Sequence, residues 1–347
     1  MSVVRALASE GRFRCILGVN PGFLQARMPA LSTLELPALD GERLGLRTFW
    51  RARGVAHALR SWLSGDSGRV FHGHSRAGLA VALWLARSDA RQVVASVHCY
   101  GRQRWFYRWA ARQLGGRLFW LSPAMKHYYI GGNGGSWDQC IPGCIASESA
   151  NGLGKPRASH RPVRLGGIGA LVPWKRWDLV LEALARLPEA ARNKLRFAHI
   201  GAPDGSDISL RCASSLRAQT AALGLGGIVE WRGQQPSTGD FLCETDCIVI
   251  ASHNEPFSMA MLEALSAGVP VLAADSGGAR DILTPPRNGW LFHSGDAGDL
   301  ARSLLMLAET DALGGIRIEP GDLLRFSAPH VAGQWAQAYS RLSGEER

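Results

Sequence analysis

An α/β fold with parallel sheets, divided into two domains, is predicted by three features of this sequence. Short β-branched runs alternate with apolar helical stretches, as in "LRFAHIG" (195–201), "DCIVIAS" (246–252) and "VPVLAAD" (269–275). Strands apolar at nearly every position belong to a parallel sheet covered on both faces. The length of 347 residues exceeds one ordinary core and fits two domains. Charge divides the same way: residues 1–145 carry 19 Lys and Arg against 7 Asp and Glu, and residues 146–347 carry 20 against 22. A switch midway marks two modules with different partners. The basic first half suits phosphates, anionic lipid or nucleic acid.

The first domain is expected over 1–150. "VVRALASEGRF" reads as the end of a helix, and "RCILGV", "RVFHGHS", "QVVASVHCYG" and "RLFWLSP" as strands. "RAGLAVALWLAR" and "RWFYRWAARQLG" are the helices between them. The Ser-, Gly-, Ala- and Pro-rich stretch "ASESANGLGKPRASHRPVR" (146–164) has a linker's composition. The second domain, 151–327, adds a helix around "LRCASSLRAQTAALGL", the strand "IVEWRG" (228–233) and the helix "MAMLEALSAG", closed by Gly268. Residues 328–347 hold an amphipathic helix, "APHVAGQWAQAYSRL", free to pack back on the first domain.

Composition narrows the classes. A hydrophobic fraction of 46% with 20% charged residues is that of a globular chain. No apolar run approaches the ~18 residues of a membrane span, and the first residues lack a secretory h-region. A cytoplasmic protein is expected. The 7 cysteines are an odd number, which argues against a complete disulfide framework. Cys140/Cys144 and Cys243/Cys247 share a Cys-x3-Cys spacing without the closer knuckles and histidines of a zinc site, and read as buried small hydrophobes. "GGIGALV" (166–172) places Val172 where a dinucleotide fingerprint needs Gly or Ala, against an oxidoreductase.

The chemistry concentrates in "NEPFSMAMLEALSAGVPVL" (254–272), with Glu255 in a polar turn and Glu263 inside an apolar helical run. Open parallel sheets bind ligands beyond the carboxyl ends of their strands, and Glu255 follows such a strand. The helix after it begins with N–H groups that have no intrahelical partner, a site suited to a diphosphate. Glu263 is placed to accept hydrogen bonds from a ribose diol. Spacing alone leaves equally open a capping acid and a solvated surface acid.

This region resembles the retaining glycosyltransferases of family 4, which have the GT-B fold. The resemblance rests on "EPFSMAMLEALSAGVPVLAADSGGARDIL" (255–283), a Glu-x7-Glu motif followed by a strand and a Gly-Gly loop. It extends to "ALVPWKRWDLVLEALARLP" (170–188), "HIGAPDGS" (199–206), "VFHGHSRAGLAVALWLAR" and "SVHCYG". It implies two Rossmann-like domains whose parallel sheets face a central cleft. It further implies that Glu255 binds donor-sugar hydroxyls and stabilises the reacting centre. Backbone amides near Phe257, Ser258 and Met259 would hold sugar and phosphate. Lys175 would neutralise the diphosphate, Glu263 would bind the ribose, and Gly201 belongs to the loop near the nucleoside. His98 would contact the sugar from the other domain, whereas His72 and His74 read mainly as structural. No cofactor is implied beyond the UDP- or GDP-sugar substrate. No metal is expected either, because no dense Asp cluster is present.

Two departures stand out. The family's arginine before "LVP" is Ala170 here, with Arg164 and Arg176 nearby but off the motif position. No glycine loop precedes "RCILGV", so the first strand and loop are missing from the pattern. The stretch "CYGRQRWFYRWAARQLGGR" (99–117) adds Arg102 and, at a spacing of four, Arg104, Arg108 and Arg112 beside Trp105 and Trp109. Arginine beside indole on a helix suits a membrane interface, as well as a buried stripe with solvated charges. No nucleic-acid module accompanies it.

The expected function is transfer of a hexose from a nucleotide sugar to a lipid-linked or polysaccharide acceptor, at the inner face of the plasma membrane. A nucleotide-sugar epimerase on the same fold and a degenerate nucleotide-binding protein are the alternatives.

Overall fold

The computed structural model describes residues 14–19, 32–36, 45–132, 138–145 and 162–343, together with Val4, Ala6, Leu7 and Leu39. Most of the linker stretch and of "VVRALASEGRF" lies outside the described residues. The chain forms two units, Met1–Cys144 with Ala328–Arg347, and Ile145–Ser327.

In the first unit, β1 (Ile16–Val19) and β2 (Ser32–Glu35) pair in parallel as a sheet of their own. Then come α1 (Leu46–Ser64), β3 (Phe71–Gly73), α2 (Arg76–Ala86), β4 (Val93–Val97), α3 (Arg104–Leu114), β5 (Leu118–Trp120) and α4 (Pro123–Ile130). The three later strands form a parallel sheet in the order β3-β4-β5. Side chains alternate between the faces of a strand, and β4 is buried throughout. Val93, Ala95 and Val97 join one core with α1 and α2, while Val94 joins another.

The sequence does not foretell β2, α1 and α4 in this unit, nor the helices Gly239–Glu244 and Ala297–Glu309 and the strand Gly289–His293 of the second unit. The strand β2 spans only four residues, too few to show a period. On α1, Ala52, Val55, Ala56, Leu59 and Leu63 recur on one buried face, but its alanines and interspersed arginines weaken the apolar signal. Helix α4 starts on Pro123 behind the Ser122 cap, whose hydroxyl accepts the Met125 N–H. Proline at that position opens helices, and here it was read as the end of a strand.

The second unit runs β6 (Val163–Ile168), α5 (Trp177–Ala185), β7 (Leu195–Ile200), α6 (Asp207–Ala222), β8 (Val229–Trp231), α7 (Gly239–Glu244), β9 (Cys247–Ile250), α8 (Met259–Ser266), β10 (Val271–Asp275), β11 (Gly289–His293) and α9 (Ala297–Glu309). Its six parallel strands lie in the order β11-β10-β9-β6-β7-β8. The order reverses where β6 meets β9, and such a reversal opens a crevice at the strands' carboxyl ends. Helices α5 and α9 cover one face through Leu181, Leu184, Leu300 and Leu304 against Leu165, Val249 and Leu272.

Helix α10 (Ala328–Ser343) belongs to the first unit. It buries Val331, Ala332, Trp335 and Ala336 in the core that holds Val94, Ile141 and Cys144. The cysteine expectation needs one correction. Cys140, Cys144 and Cys247 are buried, but Cys243 is exposed, because α7 turns Phe241 and Leu242 inward and leaves the next position facing solvent. Among the described residues, no group of three or more His, Cys, Asp or Glu is placed to hold a metal ion. Nor is any described helix long and apolar enough to cross a membrane.

Candidate functional site

Lys175 and Glu255 meet at the switch point. Lys175 ends the short turn Pro173–Lys175 after β6, and Glu255 lies in the loop after β9. Since β6 and β9 are neighbours, their loops emerge side by side. The Lys175 Nζ stands 2.6 Å from the Glu255 Oε2, with each side chain only 12% exposed. Two further bonds tie the loop after β9 to its neighbours, the first to the loop after β6 and the second to the loop after β10 (Val271–Asp275). The His253 N–H donates to the Trp174 carbonyl at 2.8 Å, and the Asn254 N–H to the Ser276 hydroxyl at 2.6 Å. The Trp174 ring lies under the Lys175 ammonium, 4.4 Å from its centroid, a cation–π contact that helps hold the charge in place.

The Gly-Gly loop clamps Glu255 by its backbone. Gly277 has φ +56, and a Cβ there would lie 2.0 Å from the Glu255 carbonyl oxygen. Only glycine fits such a close approach with positive φ. The Gly278 N–H donates to that same carbonyl at 2.9 Å. Gly201 is equally constrained: it has φ +132, and a Cβ would stand 1.9 Å from the Gly169 carbonyl oxygen. The loops after β6 and β7 therefore pack backbone to backbone.

Helix α8 begins three residues beyond Pro256. The Ser258 hydroxyl caps it by accepting the Met261 N–H at 3.3 Å. Met259 and Ala260 contribute N–H groups that open the helix without intrahelical acceptors, a partial positive charge. Phe257 is buried and packs on Phe326, with ring centroids 5.7 Å apart, so only its backbone is offered to a ligand. Further along, half-buried Glu263 accepts a hydrogen bond from the Thr238 hydroxyl at 3.2 Å. Burial raises its pKa, and the Thr238 bond offsets part of that rise.

The arginines near Ala170 do not replace the absent one. Arg176 turns away to Asp178, 3.1 Å across their ion pair. Arg164 sits at the start of β6, where its backbone N–H donates to Asp246, at the opposite end of the strand from Lys175.

In the first unit, His98 follows β4, His72 lies within β3, and His74 follows β3. Sequence reading treated the last two as mainly structural. The structure joins all three through the buried Ser96 hydroxyl, at 3.0 Å from His72 Nε2, 3.2 Å from His74 Nδ1 and 2.7 Å from His98 Nε2. His74 and His98 keep an edge open to solvent. Even so, the packed surroundings lower the pKa of all three, with neighbouring histidines adding to the effect on His72 and His74. Each shift favours the neutral ring. Ser96, Thr238, Trp174 and Tyr339 escaped the sequence reading. The strand-end pattern of "HGHS" and "SVH" was the signal for the histidines.

The arginine and tryptophan stripe of α3 divides. Trp105 is 70% exposed, but Trp109 packs on Phe49 and Phe106, with centroids 6.1 and 5.7 Å away, because its side of α3 faces α1. Arg102, Arg104, Arg108 and Arg112 are all exposed. Arg104 lies over the Tyr128 ring, 4.7 Å from its centroid, and Arg108 Nε donates to the Tyr129 carbonyl at 2.7 Å. Both are thereby steadied against α4. Leu46 (82% exposed) and Trp50 (59%) add apolar surface on α1.

Comparison with known proteins bears on this architecture. Residues 155–313 match the family model of glycosyl transferases group 1, a stretch containing Lys175, Gly201, Glu255 and Glu263. HepE of Anabaena, solved in complex with UDP and glucose, has a TM-score of 0.73 at 18% identity over 97% of this chain and 95% of that one. The fold is GT-B. A glycosyltransferase from Rickettsia africae gives a TM-score of 0.77 at 14% identity over 98% and 94% of the two chains. The D-inositol 3-phosphate glycosyltransferase of Geodermatophilus obscurus is 32% identical over 187 residues, which are 51% of this chain and 40% of that relative. The chain thus matches less than half the length of that relative, and its GT-B fold agrees with the sequence expectation.

Proposed function

We propose that this chain is a retaining hexosyltransferase. It moves a hexose from a UDP- or GDP-linked donor to a lipid-linked or polysaccharide acceptor, with no metal ion. The Lys175–Glu255 pair, 2.6 Å apart at the switch point and beside the start of α8, carries this reading. The match to glycosyl transferases group 1 and the likeness to a protein solved with UDP and glucose support it.

The parts fit the charges of the reaction. A departing nucleoside diphosphate accumulates negative charge, which the Lys175 ammonium and the α8 amides meet without reorganising. Glu255 meets the sugar hydroxyls and the positive charge that develops at the anomeric carbon. With no donor bound, Lys175 and Glu255 neutralise each other; donor binding exchanges these partners for phosphate and hydroxyl. The bond from the anomeric carbon to the phosphate oxygen breaks while the acceptor oxygen bonds to the same face. The acceptor's proton passes to the departing phosphate oxygen. Glu263 with Thr238 takes the ribose diol, Gly201 lets the nucleoside approach the backbone, and His98 donates to a sugar hydroxyl. Arg102, Arg104, Arg108, Arg112 and Trp105 form the membrane- and acceptor-facing surface of the first unit.

The test incubates the protein with UDP- and GDP-hexoses, with and without lipid-linked glycan, in the presence of a chelator. Expected are free nucleoside diphosphate only when acceptor is present and a product with the donor's anomeric configuration by NMR. An isomerised nucleotide sugar without acceptor would indicate an epimerase. Tight nucleotide binding without turnover would indicate a binding protein.

A further inference from the structure

The histidine cluster continues beyond Ser96 to the C-terminal helix. Tyr339 on α10 places its hydroxyl 2.7 Å from His72 Nδ1, and His72 Nε2 lies 3.0 Å from the Ser96 hydroxyl. Ser96 in turn is 2.7 Å from His98 Nε2. We propose that Tyr339, His72 and Ser96 are a directional hydrogen-bond chain that fixes the tautomer of His98, leaving Nε2 as acceptor and the ring proton on Nδ1.

Direction follows from the donors present. The chain reads 2.7, 3.0 and 2.7 Å from Tyr339 to His98. A phenol is a better donor than acceptor, and a neutral imidazole carries one N–H and one bare nitrogen, so the pattern is O–H to N, N–H to O, O–H to N. Tyr339 donates to His72 Nδ1, His72 donates from Nε2 to Ser96, and Ser96 donates to His98 Nε2. Reversal would leave the Tyr339 phenol accepting from His72 and exchange a net one hydroxyl-to-imidazole bond for an imidazole-to-hydroxyl one.

The remaining contacts agree. A serine hydroxyl has one proton and two acceptor sites. Ser96 donates to His98 and accepts from His72 and, at 3.2 Å, from His74 Nδ1. That His74 nitrogen is also 3.3 Å from His98 Nε2, which fits an N–H facing an unprotonated nitrogen. The lowered pKa of each histidine keeps the chain neutral, and burial keeps the Tyr339 phenol protonated. The rings are wedged in place: His72 stacks on His74 at 3.7 Å and packs on Trp335 at 4.4 Å between centroids. Ser96, His72 and Tyr339 are positioning residues; they act through His98. The result is a His98 Nδ1–H available to donate, as a sugar hydroxyl acceptor requires.

The kinetic consequence rests on the proposed function, but the tautomer does not. Protein carrying 15N-histidine is measured by two-bond proton–nitrogen correlation at pH 7.5, with the His98 signals assigned from their loss in His98→Gln. Expected is a single neutral tautomer protonated at Nδ1 in the wild type, and a mixture in Ser96→Ala and in Tyr339→Phe. Ser96→Thr keeps the hydroxyl and should restore the wild-type pattern. In sugar-transfer assays Ser96→Ala should lower kcat roughly tenfold, about one hydrogen bond, with nucleoside diphosphate affinity unchanged. A wild-type His98 protonated at Nε2, or a pattern unchanged in Tyr339→Phe and Ser96→Ala, would overturn the proposal. The expected tautomers in a protein that transfers no sugar would leave the chain established and remove the functional reading alone.

Discussion

Glu255 and Lys175 hold each other across 2.6 Å in a crevice that exposes each by only 12%, so a change at either should show in ligand binding before it shows in the fold. Glu255→Gln preserves shape and removes charge. Initial rates should fall roughly 100- to 1,000-fold, the usual cost of one preorganised electrostatic group. The melting temperature should move little. A variant that melts early yet turns over normally would instead make Glu255 a structural cap. Ala170 allows the converse experiment. On the proposed function a diphosphate would meet one lysine and helix-start amides, and Ala170→Arg would add a second cation. Calorimetry should find nucleoside diphosphate bound more tightly by about 1–3 kcal/mol, the range for charge-assisted hydrogen bonds. No gain in affinity would mean that the crevice beside Lys175 holds no diphosphate. Glu255 was legible because its motif is local. Its partner Lys175 was legible only as a second motif, for nothing in the intervening residues says that the two side chains touch.

Among the elements, α3 carries the clearest prediction. Its arginines are solvent-facing, Trp105 is open, and Leu46 and Trp50 extend the apolar surface on α1. Changing Arg104, Arg108 and Arg112 together to Gln should release the protein from anionic vesicles in a sedimentation assay. Wild-type binding should itself weaken in high salt, as screening requires. Wild-type protein that stays in the supernatant with anionic vesicles at low salt would end the membrane reading. Because Arg108 also bonds the Tyr129 carbonyl, a circular dichroism melt of the variant separates lost binding from lost packing. Helix α1 is faint in the sequence for a reason of its own. It packs on α2 partly through Ala52 and Ala56, which bury little apolar side chain, so its period is faint although its face is covered.

For the whole molecule, buried histidines make stability depend on pH. His199 is completely enclosed between Trp177 and Trp231, with centroids 4.6 and 5.2 Å away. Among the described residues, neither of its ring nitrogens has a hydrogen-bond partner. Burial lowers its pKa to about 3, and the nearby Gly169 backbone offsets part of that shift without reaching hydrogen-bond geometry. A histidine whose folded pKa lies below its unfolded value binds fewer protons folded than unfolded. Stability is therefore full above pH 6.5 and falls as pH drops toward 3. One such group loses about 1.4 kcal/mol per pH unit in that window, or about 2 kcal/mol between pH 6.5 and 5. His199→Phe leaves no broken bond behind. Denaturant melts at pH 7 and pH 5 should show the variant losing less stability than the wild type by about that amount. Equal losses in both would mean that His199 is protonated without cost. The first-unit histidines His72, His74 and His98 act in the same direction.

The sequence by itself determined the alternation of strand and helix, the covered parallel sheets and the helix start after Glu255. Each is written in a short stretch of chain: continuous β-branched runs, and two acids eight positions apart at a helix entrance and within the helix. Tertiary structure alone decided which of these meet. Lys175 reaches Glu255 across 80 residues because the strand order places β9 beside β6. Tyr339 reaches His72 across 267 residues because α10 buries Trp335 and Val331 in the core behind Val94. Strand order and the choice of face for a helix are settled by the total apolar surface removed from water. Local propensity does not encode that sum, so the partners of distant side chains emerge only when the layers are assembled.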